Sequence, residues 1–187
     1  MKFKIFFIFF IFIASSTQAN IHVKQWSEKM SQDFIQLINS NENMNLDSDL
    51  EKFIVNNFAI NSISMSLIGR IANKSTDADL ERYKKAFLVH ITNSINNLID
   101  TTDFNGQDIK IAEVKKDSNG YLVYSEILHK DKTYSIVWRV VEINNKYYIL
   151  DIIIENTSFY VTKKSEFSNI LRQNKGNLNK LSEILEQ

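Results

Sequence analysis

The sequence predicts an α+β fold: a helical N-terminal half, a four-stranded antiparallel meander sheet, and C-terminal helices. Three observations carry this expectation. Apolar residues recur about every 3.6 positions up to Thr101 and every 2 positions beyond it. Turn-forming pairs then cut the second region into short runs, and the helical period returns from Ser158. Helices grouped before and after a block of strands give segregated α+β layers rather than alternating α/β units.

The chain opens on Lys2 and Lys4, the apolar run Ile5 to Ala14, and the small-residue stretch Ser15-Ser16-Thr17-Gln18-Ala19. A basic start, an apolar stretch of this length and an A-x-A-like site (Thr17 and Ala19 at −3 and −1) form the pattern of a cleaved secretory signal peptide, residues 1–19. Ten apolar residues are too few for a membrane span, which needs about 20. Cleavage after Ala19 leaves a single domain, residues 20–187, with 20 basic against 22 acidic residues and a net charge of −2. The mature protein is expected to be soluble and exported, into a bacterial periplasm.

Residues 22–39 predict a helix with the stripe Trp26, Met30, Phe34, Leu37 and Ile38. Asn39-Ser40-Asn41 ends it, and Ser48 with Glu51 has capping-box spacing ahead of Leu50, Phe53, Ile54 and Phe58. A third helix carries Ile60, Ile63, Leu67 and Ile71; a long fourth, capped by Ser75 or Thr76, carries Leu80, Tyr83, Phe87, Ile91, Ile95 and Leu98. Strands are expected over 108–115, 121–130, 133–143 and 146–155, joined at Asn119-Gly120, Lys130-Asp131-Lys132 and Asn144-Asn145. Asn and Gly tolerate the positive φ of tight hairpins. The tail helices carry Phe167, Ile170 and Leu171, then Leu178, Leu181 and Leu185.

Strand 147–154 breaks the alternation expected of a sheet with one wet face, being apolar on both sides except at Asp151. Strand 133–143 behaves similarly, with Ile136, Trp138 and Val140 pointing one way and Val137, Arg139 and Val141 the other. Three arrangements accommodate this: helices over both faces, a large apolar cavity against one, or a dimer interface.

Composition closes many routes to chemistry. The chain has no cysteine and no proline, three histidines (His22, His90, His129) and four scattered glycines. Disulfides, thiol nucleophiles, multi-histidine metal sites and phosphate-cradling glycine loops are therefore not expected. Balanced charge, 22 basic against 22 acidic residues with only four arginines, argues against nucleic acid. Asp47-Asp49 and Asp77-Asp79 read as helix-start acids that favour the dipole. His90 reads as a hydrogen-bonded, partly buried residue, Arg139 and Asp151 as a cross-strand ion pair, and Lys163-Lys164 as solvated surface. No G-x-S-x-G elbow is present, so a hydrolase is the weakest alternative.

The stretch Tyr148 to Phe159 and its continuation Lys163 to Gln173 resemble the MlaC family, the soluble periplasmic component of the Mla phospholipid-transport system, also described as a toluene-tolerance auxiliary component. Asp151, Glu155, Ser158, Phe167, Arg172 and Gly176 fall on or near the family's pattern. Phe58-Ala59-Ile60, Leu67-Ile68-Gly69-Arg70, Thr76 to Phe87 and Ser135 to Arg139 match other segments in the same order. Ala59 stands for the usual aspartate, Asn156 for a glycine, and Lys163-Lys164 for Tyr-Arg.

The resemblance implies a non-enzymatic carrier that needs no cofactor and shuttles phospholipid between outer and inner membranes, maintaining lipid asymmetry. Its implied partners are an inner-membrane ABC transporter complex and an outer-membrane lipoprotein/porin complex, met by a monomer. Another apolar lipid, such as a hopanoid, is the alternative ligand. Each buried methylene contributes about 0.8 kcal/mol, so two acyl chains call for a dry cavity near roughly 1,000 Å³. The expected lining is Trp138, Tyr148, Leu150, Ile152 and Ile154 from the sheet, with Leu67, Phe87, Ile91, Phe159, Phe167 and Leu171 from helices. Which sheet face lines the cavity is left open.

Overall fold

The computed structural model describes residues 14–39, 46–102, 108–129 and 132–187. Helices α1 (Ala14–Asn39), α2 (Leu46–Asn57), α3 (Ile60–Ile68) and α4 (Asp77–Thr102) come first, with a 3-10 turn over Gly69–Lys74 between the last two. Strands β1 (Ile109–Asp117), β2 (Gly120–His129), β3 (Lys132–Ile143), β4 (Lys146–Ile154) and β5 (Thr157–Ser158) follow, then α5 (Phe159–Gln173) and α6 (Leu178–Leu185). The expected α+β order is observed. Residues 1–13 of the expected leader lie outside the described residues; residues 14–19 form the start of α1. Among the described residues no helix is long and apolar enough to cross a membrane.

The sheet is an antiparallel meander in the order β1-β2-β3-β4-β5, one strand more than expected. The extra strand exists because the chain reverses again after β4. Glu155 and Asn156 both take positive φ, 47° and 66°, as do Asn144 and Asn145 at the β3–β4 hairpin, 51° and 61°. Two consecutive left-handed residues form the turn whose twist matches paired strands. At β1–β2 the turn lies one residue earlier than expected, on Ser118 and Asn119, because Asp117 pairs with Gly120. Gly120 serves a different purpose: a Cβ there would sit 2.1 Å from the Val140 carbonyl oxygen. Lys130-Asp131 lies outside the described residues.

Two register slips set which side chains share a face. In β1 the pairing jumps from Ile111 opposite Ser125 to Glu113 opposite Tyr124, leaving Ala112 as the extra residue. In β4 it jumps from Ile149 opposite Val140 to Asp151 opposite Arg139, leaving Leu150 as the extra residue. A bulge of this kind turns the strand over by one position. One sheet face therefore collects Ile109, Ile111 and Val114 from β1, Tyr121, Val123, Ser125 and Ile127 from β2, Ile136, Trp138 and Val140 from β3, and Ile149, Ile152 and Ile154 from β4. The missing alternation in 147–154 is this slip.

Asp151 is turned to the other face, where its carboxylate accepts from Ser158 Oγ (2.6 Å) and from the Tyr160 backbone N–H (2.8 Å). Ser158 in turn caps α5 by accepting from the Val161 N–H at 3.0 Å. Arg139 stands opposite Asp151 in the ladder, yet the expected ion pair is not formed, because the carboxylate is committed to the start of α5.

Helices α3 to α6 make a solid block. Tyr83, Phe87 and Phe167 are fully buried and meet ring to ring, Phe167 edge-on to both others. Tyr83 donates to the Ser64 carbonyl at 3.0 Å. At the start of α4, Thr76 Oγ1 accepts from the Asp79 N–H (3.2 Å) and Asp79 accepts back from the Thr76 N–H (3.3 Å), a reciprocal cap. Asp79 also accepts from Asn179 of α6 (2.6 Å), and these hydrogen bonds, the Thr76 side chain's first, hold its carboxyl below the usual range. At the start of α2, Ser48 lies inside the first turn rather than at the cap, since the helix begins at Leu46. After α5, Gly176 takes φ 77° and its N–H closes on the Leu171 carbonyl at 2.7 Å, the left-handed cap that ends many helices.

Lys163 and Lys164 are not solvated surface; both tie α5 to its neighbours. Lys164 donates to the Ser66 and Leu67 carbonyls in the last turn of α3, where a cation complements the helix dipole. Lys163 lies 2.8 Å from His90 Nε2 on α4 and 2.8 Å from Glu166. Burial, then the Lys163 ammonium, hold the His90 ring below its ordinary value, with Glu166 pulling the other way. Facing a lysine, the neutral ring serves as acceptor.

Two predictions follow from these contacts. Because the unfolded His90 takes up its proton near 6.5 and the folded one only at lower pH, stability should fall as pH drops below 6.5. His90→Gln, which keeps an acceptor, should flatten that slope in denaturation curves recorded at pH 7.5 and 5.5. Gly120→Ala should destabilise by on the order of 3 kcal/mol through its clash with β3, seen as an earlier denaturant midpoint.

Candidate apolar binding cavity

Between the collected sheet face and the helices α1, α2 and α4 lies a cavity walled only by hydrocarbon and aromatic side chains. The sheet contributes Ile109, Ile127, Ile136, Trp138, Ile152 and Ile154. The stripe of α1 contributes Met30 and Phe34, α2 contributes Phe53, the residue just past its end Phe58, and the last turns of α4 Ile95, Leu98 and Ile99. Phe34 and Phe53 meet across the α1–α2 junction with ring centroids 5.3 Å apart. Leu98 and Ile154 line the cavity and are also 48% and 37% exposed, so it reaches the surface between the ends of α4 and β4.

The polar atom of Trp138 is satisfied within the packed sheet face, by a neighbour on the same side of the sheet. Its indole N–H donates to Ser125 Oγ at 2.7 Å, and Ser125 donates onward to the Ile136 carbonyl at 3.0 Å. All members of this chain are buried, which fixes the ring plane and leaves a dry surface toward the cavity.

The open space is about 100 Å³, far below the roughly 1,000 Å³ that two acyl chains call for. The helices rest close against the sheet, with Met30, Phe58, Ile127, Ile136 and Trp138 each less than a tenth exposed.

Of the residues expected from the sequence to line a pocket, Trp138, Ile152 and Ile154 meet at this cavity. Leu67, Phe87, Ile91, Phe167 and Leu171 are buried elsewhere in the apolar core, and none of them lines the cavity. Tyr148 stands opposite Val141 on the far sheet face, Leu150 is the bulge residue, and Phe159 packs at the start of α5 beneath Lys163, whose Nζ is 5.9 Å from the ring. The helical contributors Met30, Phe34, Phe53, Phe58, Ile95 and Leu98 all lie on stripes visible in the sequence. Periodicity marks them as inward-facing, but it does not distinguish facing a gap from facing a neighbour.

Chemistry beyond apolar contact is scarce. Among the described residues no group of three or more His, Asp or Glu side chains is placed to hold a metal ion, and the acidic pairs are in helix first turns.

Comparison with known proteins gives a consistent picture. A family model described as "MlaC protein" matches residues 28–187. No curated protein matches the chain. Among solved structures, a phospholipid-binding protein from Ralstonia solanacearum, determined in complex with a phospholipid, superposes with a TM-score of 0.68 over 90% of this chain and 94% of its own, at 16% identity. That likeness establishes the shared fold.

The Ser125–Trp138 bond gives a direct test of the wall. Ser125→Ala should cost about 1–3 kcal/mol, because it strands a buried indole N–H. Combining it with Trp138→Phe, which removes the donor, should recover part of that loss, and a double-mutant cycle by chemical denaturation measures the coupling.

Proposed function

Because the chain belongs to the MlaC family, we propose that it is a phospholipid carrier: a non-enzymatic protein that shelters acyl chains in the cavity between its sheet and α1, α2 and α4. The observation that carries this reading is the polar-free lining, continuous from Trp138 in the interior to Leu98 and Ile154 at the surface. Sheltering two acyl chains needs no catalytic group and a large area of hydrocarbon wall. Each sequestered methylene contributes about 0.8 kcal/mol, so a pair of chains supplies free energy that can push the helices off the sheet and widen the narrow cavity. Met30, unbranched and adaptable, suits a wall that must re-pack.

The wider setting of the proposal is the bacterial periplasm, reached through the leader at residues 1–19. There the carrier, as a monomer, would move lipid between an outer-membrane lipoprotein/porin complex and an inner-membrane ABC transporter complex, maintaining outer-membrane lipid asymmetry. The family membership supports this setting, as does the phospholipid held by the Ralstonia solanacearum protein of the same fold.

Organic extraction of the purified protein followed by mass spectrometry should yield diacyl phospholipid near one molecule per chain. Ile154→Lys and Leu98→Asp, at the exposed mouth where folding tolerates charge, should lower loading about tenfold by forcing an ion against hydrocarbon. Trp138→Arg should abolish it. Recovery of a different lipid class redirects the reading to another apolar ligand; an empty wild-type protein, or full loading of the variants, overturns it.

A further inference from the structure

Of the helices around the cavity, α1 is held differently from the rest. α2 is tied to α4 where Asn96 donates to Asp47, and the Ala59 N–H just past its end donates to the Ile149 carbonyl of β4 at 2.9 Å. α4 is tied to α3 through Tyr83, to α5 through His90 and to α6 through Arg82 and Asp79. Over residues 20–33, by contrast, the hydrogen bonds and ion pairs of α1 side chains among the described residues stay within the helix. They join Lys29 to Asp33 at 2.8 Å and Lys24 to Glu28 at 3.9 Å.

The two halves of α1 differ in turn. The first is seated by Val23, fully buried, and by the ring contact of Trp26 with Tyr147 of β4. The second has open space on both flanks. On one side Met30 and Phe34 face the cavity; on the other, between residues 28–36 and the start of β1, lies a recess of about 520 Å³ with Gln32, Gln36 and Lys110 in its lining. Ile109 borders both spaces. A helix beside open space has fewer dispersion contacts to give up when it is displaced. Its inward face also carries a cost. Ser27 and Ser31, one turn apart, are 1% and 2% exposed, and neither hydroxyl has a hydrogen-bond partner. A buried hydroxyl left unpaired is destabilising, and parting α1 from the sheet exposes both to water.

We infer that the second half of α1 is the moving wall of the cavity. It pivots about the Trp26–Tyr147 contact, parts from β1 and joins the recess to the cavity, while α2, α4 and the sheet keep their places. The inference rests on the carrier reading, since the guest supplies the apolar contacts that Met30 and Phe34 lose. A cavity of about 100 Å³ thereby grows toward the size of two acyl chains without breaking the ties of α2 and α4.

The chain has no cysteine, so a pair of introduced thiols can be bridged without competition. Gln32→Cys with Lys110→Cys places one on each side of the recess, both at exposed positions. The protein from Asn20 onward is bridged there with a short bis-methanethiosulfonate and incubated with phosphatidylethanolamine–phosphatidylglycerol vesicles. Loading should fall about tenfold or more, because the binding-competent state is removed, and reductant should restore it. The same bridge between Asp47→Cys and Asn96→Cys, which fixes α2 to α4, should leave loading unchanged. Ser27→Ala with Ser31→Ala should raise the denaturant midpoint of the lipid-free protein and slow uptake about tenfold, the size of one buried hydroxyl's cost. His22→Ala with Gln25→Ala, at exposed positions where helix propensity alone changes, should leave uptake as it was. Full loading of the protein bridged at 32 and 110, equal loss from both bridges, or normal uptake by the serine variant overturns the moving wall alone. No lipid on the unbridged parent overturns the carrier reading as well.

Discussion

A strand offers its side chains to opposite faces in turn, and this rule works against a long greasy wall built from β4. Were the strand regular, Asp151 would follow Tyr147 and Ile149 onto the cavity face and leave a carboxylate in hydrocarbon. The extra residue at Leu150 turns the strand over, so that Ile152 and Ile154 take that face and Asp151 leaves it. The same device operates in β1, where Ala112 brings Val114 inward in place of Glu113. A buried, unpaired carboxylate would cost several kcal/mol. The apolar continuity of the cavity therefore rests on the single-residue slip in β4, and the slip in β1 extends the same apolar sheet face beyond the cavity.

The displaced Asp151 becomes an anchor. By accepting from Ser158 and the Tyr160 N–H it pins the beginning of α5 to β4, and α5 then reaches α3 through Lys164 and α4 through Lys163 and His90. Arg82–Glu186 and Asp79–Asn179 add α6 to the same block. The block of α3 to α6 is thus cross-linked by directional side-chain bonds; on the cavity side Asn96 of α4 donates to Asp47 of α2 and the Ala59 N–H to the Ile149 carbonyl of β4, while the cavity walls themselves meet through isoleucines and phenylalanines. Directional bonds resist displacement; apolar contacts can be exchanged for those of a guest at little net cost. The contacts that line the cavity are therefore of the kind that can re-pack, whereas those around α5 are fixed in direction.

Much of this was legible from residue order. The change of period at Thr101, the return at Ser158 and the Asn144-Asn145 turn placed the helices and strands within a few residues, because these signals are local. Asn156 in a left-handed conformation was likewise readable, but Glu155 beside it was not, since a glutamate carries no preference for positive φ and is held there by the strands it joins. The bulges carry no signal in one strand's own residues, because a slip is defined by the partner strand. For that reason sequence alone does not separate Tyr148 and Leu150 from Ile152 and Ile154. Leu67, Phe87, Phe167 and Leu171 bear the same periodic mark as Phe34 and Ile95, and only the packing of α3, α5 and α6 separates a filled core from a fillable one. The pairing expected for Arg139 does not form for a related reason: the start of α5, distant in sequence, competes for Asp151.

The chain has two tryptophans, and the fold puts them in unlike surroundings. Trp138 is in the cavity wall with its nitrogen tethered to Ser125, whereas Trp26 sits on α1, half-buried against Tyr147, with ring centroids 5.8 Å apart. On the carrier reading, acyl chains in the cavity would touch one indole and not the other. The molecule carries its own optical gauge and its own reference lamp: a hydrocarbon bearing a heavy atom would dim the first emission and leave the second as the standard against which occupancy is read.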